Sequence, residues 1–161
     1  MRNEARSGDK VNLLNLTRTL ALDAISSYLF QMGYGGMQEK SEHLSASPFV
    51  DAFVAVGRFF YLPNRAFMAL ERFNEWMWPD AKVETSMSLI EGYAGRLVDT
   101  AKVGGDAGLK GSGNYPSRLL EAGIQESEAK SQCKDVVFAG SDSTGMNLAM
   151  ACWFLVKYPE T

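Results

Sequence analysis

The chain has 161 residues, 46% of them hydrophobic, and a formal net charge of −3. That length suits one domain, and the apolar share is ordinary for a globular chain. The mildly acidic balance excludes the basic field that nucleic acid requires, and the mixing of charges along the chain excludes an acidic tail.

Two cysteines, Cys133 and Cys152, are 19 residues apart on one expected helix. At ~1.5 Å per residue that is roughly 28 Å, too far for a disulfide between them. They read as small core hydrophobes and point weakly to a reducing compartment. The single histidine, His43, lies in a polar loop, which argues against a Ser-His-Asp triad or a His-rich metal site. Residues 1–10 are polar, with no apolar core of a signal peptide. The window 136–156 is long enough to span a bilayer, but Ser141, Asp142, Ser143, Thr144 and Asn147 interrupt it.

The first expected helix is capped by Asn12 or Asn15 and runs to about Gln31. Two helical rows fall along it, one through Leu13, Leu16, Leu20, Ala24 and Tyr28, the other through Leu14, Thr17, Ala21, Ile25 and Leu29. The apolar stripe is broad, so burial on more than one side is expected, with Asp23 interrupting it. Gly33, Gly35 and Gly36 are expected to end the helix and open a loop to Ala46. Ser47-Pro48, as N-cap and N1, starts a helix to about Tyr61. A shorter helix follows from Arg65 to Trp78, closed by Pro79.

This region is dense in aromatics: Phe59, Phe60, Tyr61, Phe67, Phe73, Trp76 and Trp78. Packing between two helices accounts for them. A greasy lid over a pocket and a membrane-touching surface are the other readings. A fourth helix is expected over 81–103, with Val83, Met87, Ile90, Ala94, Leu97 and Ala101 on one face. Residues 104–114 hold five glycines in eleven positions and read as a surface loop. They lack the lysine and Ser/Thr placement of a phosphate-binding loop. A short helix over 115–122 is stopped by Gly123. No strand pattern and no internal repeat is visible, so the expected fold class is all-α.

The last expected helix runs from Glu126 to about Val156. Its middle is Ala139-Gly140-Ser141-Asp142-Ser143-Thr144, a polar and weakened turn. Glycine inside a helix costs ~1 kcal/mol relative to alanine, and buried hydroxyls and carboxylates need partners. Beyond it, from Met146 to Val156, Asn147 is the only polar residue. The positions 129, 133, 136, 140, 143, 147 and 151 trace a mostly small face, suited to a neighbouring helix, a cofactor plane or a substrate. Ser143 is placed to return its hydroxyl to the carbonyl of Ala139, which tends to bend a helix, and Gly140 makes distortion easier. Asp142 beside that hydroxyl is the minimum of a proton relay. A satisfied structural kink is the alternative.

This run, AGSDST, resembles the oxygen-activation motif of cytochrome P450s, [A/G]-G-x-[D/E]-T-[T/S]. The surroundings are similar as well: Leu119-Leu120-Glu121-Ala122-Gly123 before the helix and Leu155-Val156-Lys157-Tyr158-Pro159-Glu160 after it look like the entry to and exit from the family's I helix. Residues 16–30 resemble its E helix, 47–78 fall where its F–G region would lie, and 81–103 where its G helix would lie. The resemblance has a fungal flavour and covers essentially residues 1–161 as a partial P450 domain, helix D/E to the start of helix J.

The resemblance implies a haem-thiolate monooxygenase. Ala139, Gly140 and Ser143 match cofactor-facing positions, and Asp142, Ser143 and Thr144 match the proton-delivering groups, with Ser143 in place of the motif's first threonine. It further implies haem, dioxygen, a small hydrophobic organic substrate, an NADPH-cytochrome P450 reductase and a place on the cytoplasmic face of the endoplasmic reticulum. The family's F-x-x-G-x-R-x-C-x-G ligand loop and its E-x-x-R pair are absent from these residues, as is the family's N-terminal anchor. The expectation is therefore a fragment, inactive alone and partly ordered or aggregating, because the apolar stretch 146–156 needs neighbours on every side. A non-catalytic, truncated or degenerate helical protein that binds at most a hydrophobic ligand is the alternative.

Overall fold

The computed structural model describes residues 11–39, 45–46, 50, 62–77, 81–106 and 113–160. Apart from Val50, the expected helix from Ser47 to Tyr61 falls outside them, as do His43 and most of the glycine-rich stretch. Among the described residues the secondary structure is helical, without a strand. The helices are α1 (Leu13–Phe30), α2 (Asn64–Met77), α3 (Ala81–Asp106), α4 (Tyr115–Glu121) and α5 (Glu126–Lys157).

Each end has a local cause. Asn12 caps α1, its side chain accepting from Asn15 N at 3.0 Å. The helix closes at Gln31, in the left-handed region at φ 53°, and not at the glycines that follow. That conformation costs a non-glycine residue roughly 1 kcal/mol. Asn114 caps α4 by accepting from Ser117 N at 2.9 Å, with Pro116 in the first turn. Gly123, at φ 82°, ends it, while Ile124 N–H reaches back to Leu119 O at 3.1 Å. Helix α3 runs through Gly104 and Gly105 to Asp106, past the expected end at Val103. Helix α5 opens with Glu126 and Glu128 and ends with Lys157, charges that suit its dipole.

The core forms where α1 and α3 cover α5, with α4 against α3 and α5. Leu22, Val50, Val98, Cys133 and Val137 are fully buried there. Each large aliphatic among them contributes about 1.5–3 kcal/mol by leaving water. Along α1 the buried positions 18, 22, 26 and 30 recur every four residues; along α5 they are 129, 133, 137, 141 and 145. Rows of that spacing are the ridges that interlock in the commonest helix–helix packing.

The small face traced in the sequence is therefore divided. Ala129 and Cys133 are buried and Gly140 is half-buried, whereas Ser143, Asn147 and Ala151 are exposed. The cause is that the contact follows the four-residue ridge and not a mixed three-and-four row.

Asp23 does more than interrupt a stripe. One carboxylate oxygen accepts from Gly35 N (2.7 Å) and Gly36 N (3.2 Å), and the other from Met37 N (2.6 Å). The loop after α1 is thereby pinned back onto α1. Gly36 is needed there, because a Cβ would stand 2.7 Å from the Thr19 methyl.

Candidate functional site

The polar turn lies at the middle of α5, where α1 crosses it, and it has two sides. On the buried side, Ser141 donates its hydroxyl to Val137 O at 2.7 Å. A fully buried hydroxyl is satisfied within its own helix, so its burial carries no unpaired group. Gly145 is buried one turn later. A Cβ there would stand 2.7 Å from Arg18 Cα and 2.8 Å from Arg18 N, so only glycine permits this approach of the two backbones. The approach brings Thr17 Oγ to Gly145 O at 2.7 Å. Gly140 sits beside Ile25, whose terminal carbon would be 2.1 Å from an added Cβ.

Asp142 stands at the edge of this contact. Arg18 donates to it through Nε at 2.9 Å and Nη2 at 2.7 Å, both to Oδ1. The Arg18 side chain is 10% exposed and that of Asp142 32%. The ion pair is thus sheltered on the arginine side and open to water on the aspartate side.

On the open side are Ala139, Ser143, Thr144 and Asn147, all exposed. Ser143 donates its hydroxyl to Ala139 O, as its position in the sequence suggested. Asn147 donates from Nδ2 to Ser143 O at 2.9 Å. A chain of side-chain bonds therefore links 139, 143 and 147 along the exposed surface. With its hydrogen on Ala139 O, Ser143 Oγ keeps its lone pairs for a water on the open side.

The motif residues are close in sequence but serve different neighbours. Asp142 faces α1 through Arg18, Gly140 packs on α1, and Ala139, Ser143 and Thr144 remain accessible. Arg18 and Thr17 are the residues that reading the motif alone passed over. The signal for Arg18 was a cation on an otherwise buried row of α1, but its partner lies 124 residues away.

No haem-binding site is formed among the described residues, and no group of three or more His, Cys, Asp or Glu there is placed to hold a metal ion. Cys133 does not suit a thiolate ligand: it is fully buried, and burial pushes its thiol up to about 11. The open strip is different. Its small side chains leave the helix surface accessible at Ala139, Ser143 and Thr144. No helix among the described residues is long and apolar enough to cross a membrane.

Sequence comparison puts this all-α chain, with its acid–alcohol turn, in the cytochrome P450 class. The particular relative is the cytochrome P450 monooxygenase mfmF of the fungus Annulohypoxylon moriforme. The two are 31% identical over 168 aligned positions, covering 98% of this chain and 34% of the relative. The chain thus spans about a third of the length of the curated relative it matches. No family model and no solved structure matches it.

Proposed function

We propose that these residues form the oxygen-side helical part of a haem-thiolate monooxygenase, which inserts one atom of dioxygen into a hydrophobic organic substrate. The observation that carries this reading is the open strip of Ala139, Ser143 and Thr144 beside Asp142, in a chain aligned over nearly its whole length with a P450 monooxygenase.

Haem bound through a cysteine thiolate supplies oxygen activation in such enzymes. The residues of this chain do the rest. Ala139 keeps the strip low enough for a flat group to approach, with the half-buried Gly140 at its border. Ser143 Oγ holds a water, or a donor, at the middle of the strip. Thr144 adds a second exposed hydroxyl next to it. Asp142 exchanges protons with solvent from its open side. Electrons come from an NADPH-cytochrome P450 reductase, and the site of action is the cytoplasmic face of the endoplasmic reticulum. Exposed Met68, Leu70, Phe73 and Met77 on α2 support a membrane contact by the aromatic region at 59–78.

The test is the reduced, CO-bound Soret band. A protein carrying these residues together with a haem-ligand loop gives the band of a thiolate-ligated haem, and residues 1–161 alone do not. A full protein that takes up no haem would establish the non-catalytic alternative. A band from residues 1–161 alone would overturn the claim that the iron ligand lies elsewhere.

A further inference from the structure

We infer that Met146 is an internal thioether substrate: when the open strip holds no organic molecule, an oxygen atom is delivered to the Met146 sulfur. This rests on the functional reading above and adds a modification site to it.

Met146 follows Ser143 by three residues, so the two are neighbours on the helix surface, roughly 5–6 Å apart at Cβ. Ser143 is exposed, and Met146 is 45% exposed. Side chains on an α-helix lean towards its N-terminus, and a methionine covers the turn before its own Cα. The Met146 thioether is therefore directed back towards Ser143 and the open strip.

Met150 is the comparison that α5 itself supplies. It has the same chemistry, is 52% exposed, and lies on the same side of the helix as Met146. It stands seven residues beyond Ser143, roughly 10 Å along the axis, and leans over Asn147 and not over the serine. Met68 and Met77, on α2, are exposed as well. Exposure alone treats these four methionines alike, whereas nearness to the strip singles out Met146.

The step is the proposed reaction with sulfur in place of carbon. The O–O bond of dioxygen breaks, one atom forms the sulfoxide S–O bond, and the other leaves as water. Two electrons come from the thioether sulfur, which is oxidised, and two from NADPH through the reductase, with two protons. A flexible apolar side chain thereby becomes a polar, chiral one at the border of the strip, and methionine sulfoxide reductases reverse the change.

The test uses the complete haem-loaded enzyme without organic substrate, supplied with oxygen-18 dioxygen, NADPH, reductase and catalase, followed by peptide mass mapping. Labelled sulfoxide is expected at Met146 in several-fold excess over Met150, Met68 and Met77, and Met146→Leu should remove it without raising the label at Met150. A readout free of turnover is added hydrogen peroxide without NADPH, under which Met146 and Met150 should oxidise at similar rates.

If Met146 resists added peroxide, it is covered in the complete enzyme and the inference is overturned. Equal label at Met146 and Met150, unlabelled sulfoxide, or label that persists without NADPH overturns it too, and a normal reduced, CO-bound Soret band would then leave the proposed function standing. A complete protein without that band removes the functional reading and this inference together.

Discussion

Thr17 donates its hydroxyl to the carbonyl of Gly145 at 2.7 Å, joining residues 128 positions apart. The bond exists only because a glycine lets α1 come down onto α5. Thr17 also lies 3.0 Å from Leu13 O in its own helix. Its single hydrogen serves one acceptor at a time, and the interhelical one is nearer.

Gly145 and Gly140 should therefore respond differently to alanine. At Gly145 the added Cβ meets backbone, which cannot rotate away. Overpacking there outweighs the helix gained, for a net loss of about 1–2 kcal/mol. At Gly140 the obstacle is the end of the Ile25 side chain, which can change rotamer. Gly140→Ala should be within about 1 kcal/mol of the parent. Urea unfolding checks both, and equal losses would place the close approach elsewhere.

Ser143→Ala removes the hydroxyl from the open strip and leaves the contact with α1 intact. In the complete enzyme, coupled product formation should fall, towards the ~100-fold that a positioned proton-transfer group supplies, with oxygen diverted to peroxide. Parallel measurement of peroxide and product checks this. Unchanged coupling would remove Ser143 from the chemistry.

Glu126 ties α5 to α3. Lys102 on α3 and Lys130 on α5, the latter at 2.9 Å, hold its carboxyl down at about 2. A depressed carboxyl stabilises the fold above its unfolded value, near 4.5, and that contribution is lost as pH falls through about 2. Thermal melts between pH 5 and 2 should show a smaller decline in Lys102→Met than in the parent. The cluster is exposed, so high salt should reduce the difference. Identical pH profiles would mean that the pairing does not persist in solution.

Asp23→Ala leaves the amides of Gly35, Gly36 and Met37 without their carboxylate. The expected cost is about 2 kcal/mol, together with faster hydrogen exchange at those three amides. Asp23→Asn keeps one acceptor oxygen and should be milder. Retained protection in Asp23→Ala would show that the loop is held by other contacts.

Most helix limits were legible in the sequence because caps and breakers act locally. Asn12 and Gly123 act within a few residues of themselves. The end of α1 at about Gln31 was legible too, but not how it closes: Gln31 itself takes the left-handed position that glycine usually fills. Nothing in a glutamine announces that, and the strain is accepted because the loop beyond is anchored by Asp23. The continuation of α3 through Gly104 and Gly105 is similar, since propensity yields where neighbouring turns support the helix.

The candidate site divides the same way. The sequence alone determined that residues 139–144 break the pattern of a buried helix, and that Ser143 would turn to Ala139 O. Spacing along one helix is sufficient for that, because positions four apart are adjacent by geometry. Only the tertiary structure decided which side each residue takes. Asp142 reaches α1, Gly140 and Gly145 admit it, and Ser143 and Thr144 are left open. The reason is physical: the faces of a helix acquire meaning from what packs on them, and Arg18 and Thr17 meet this turn only once the chain has folded back on itself.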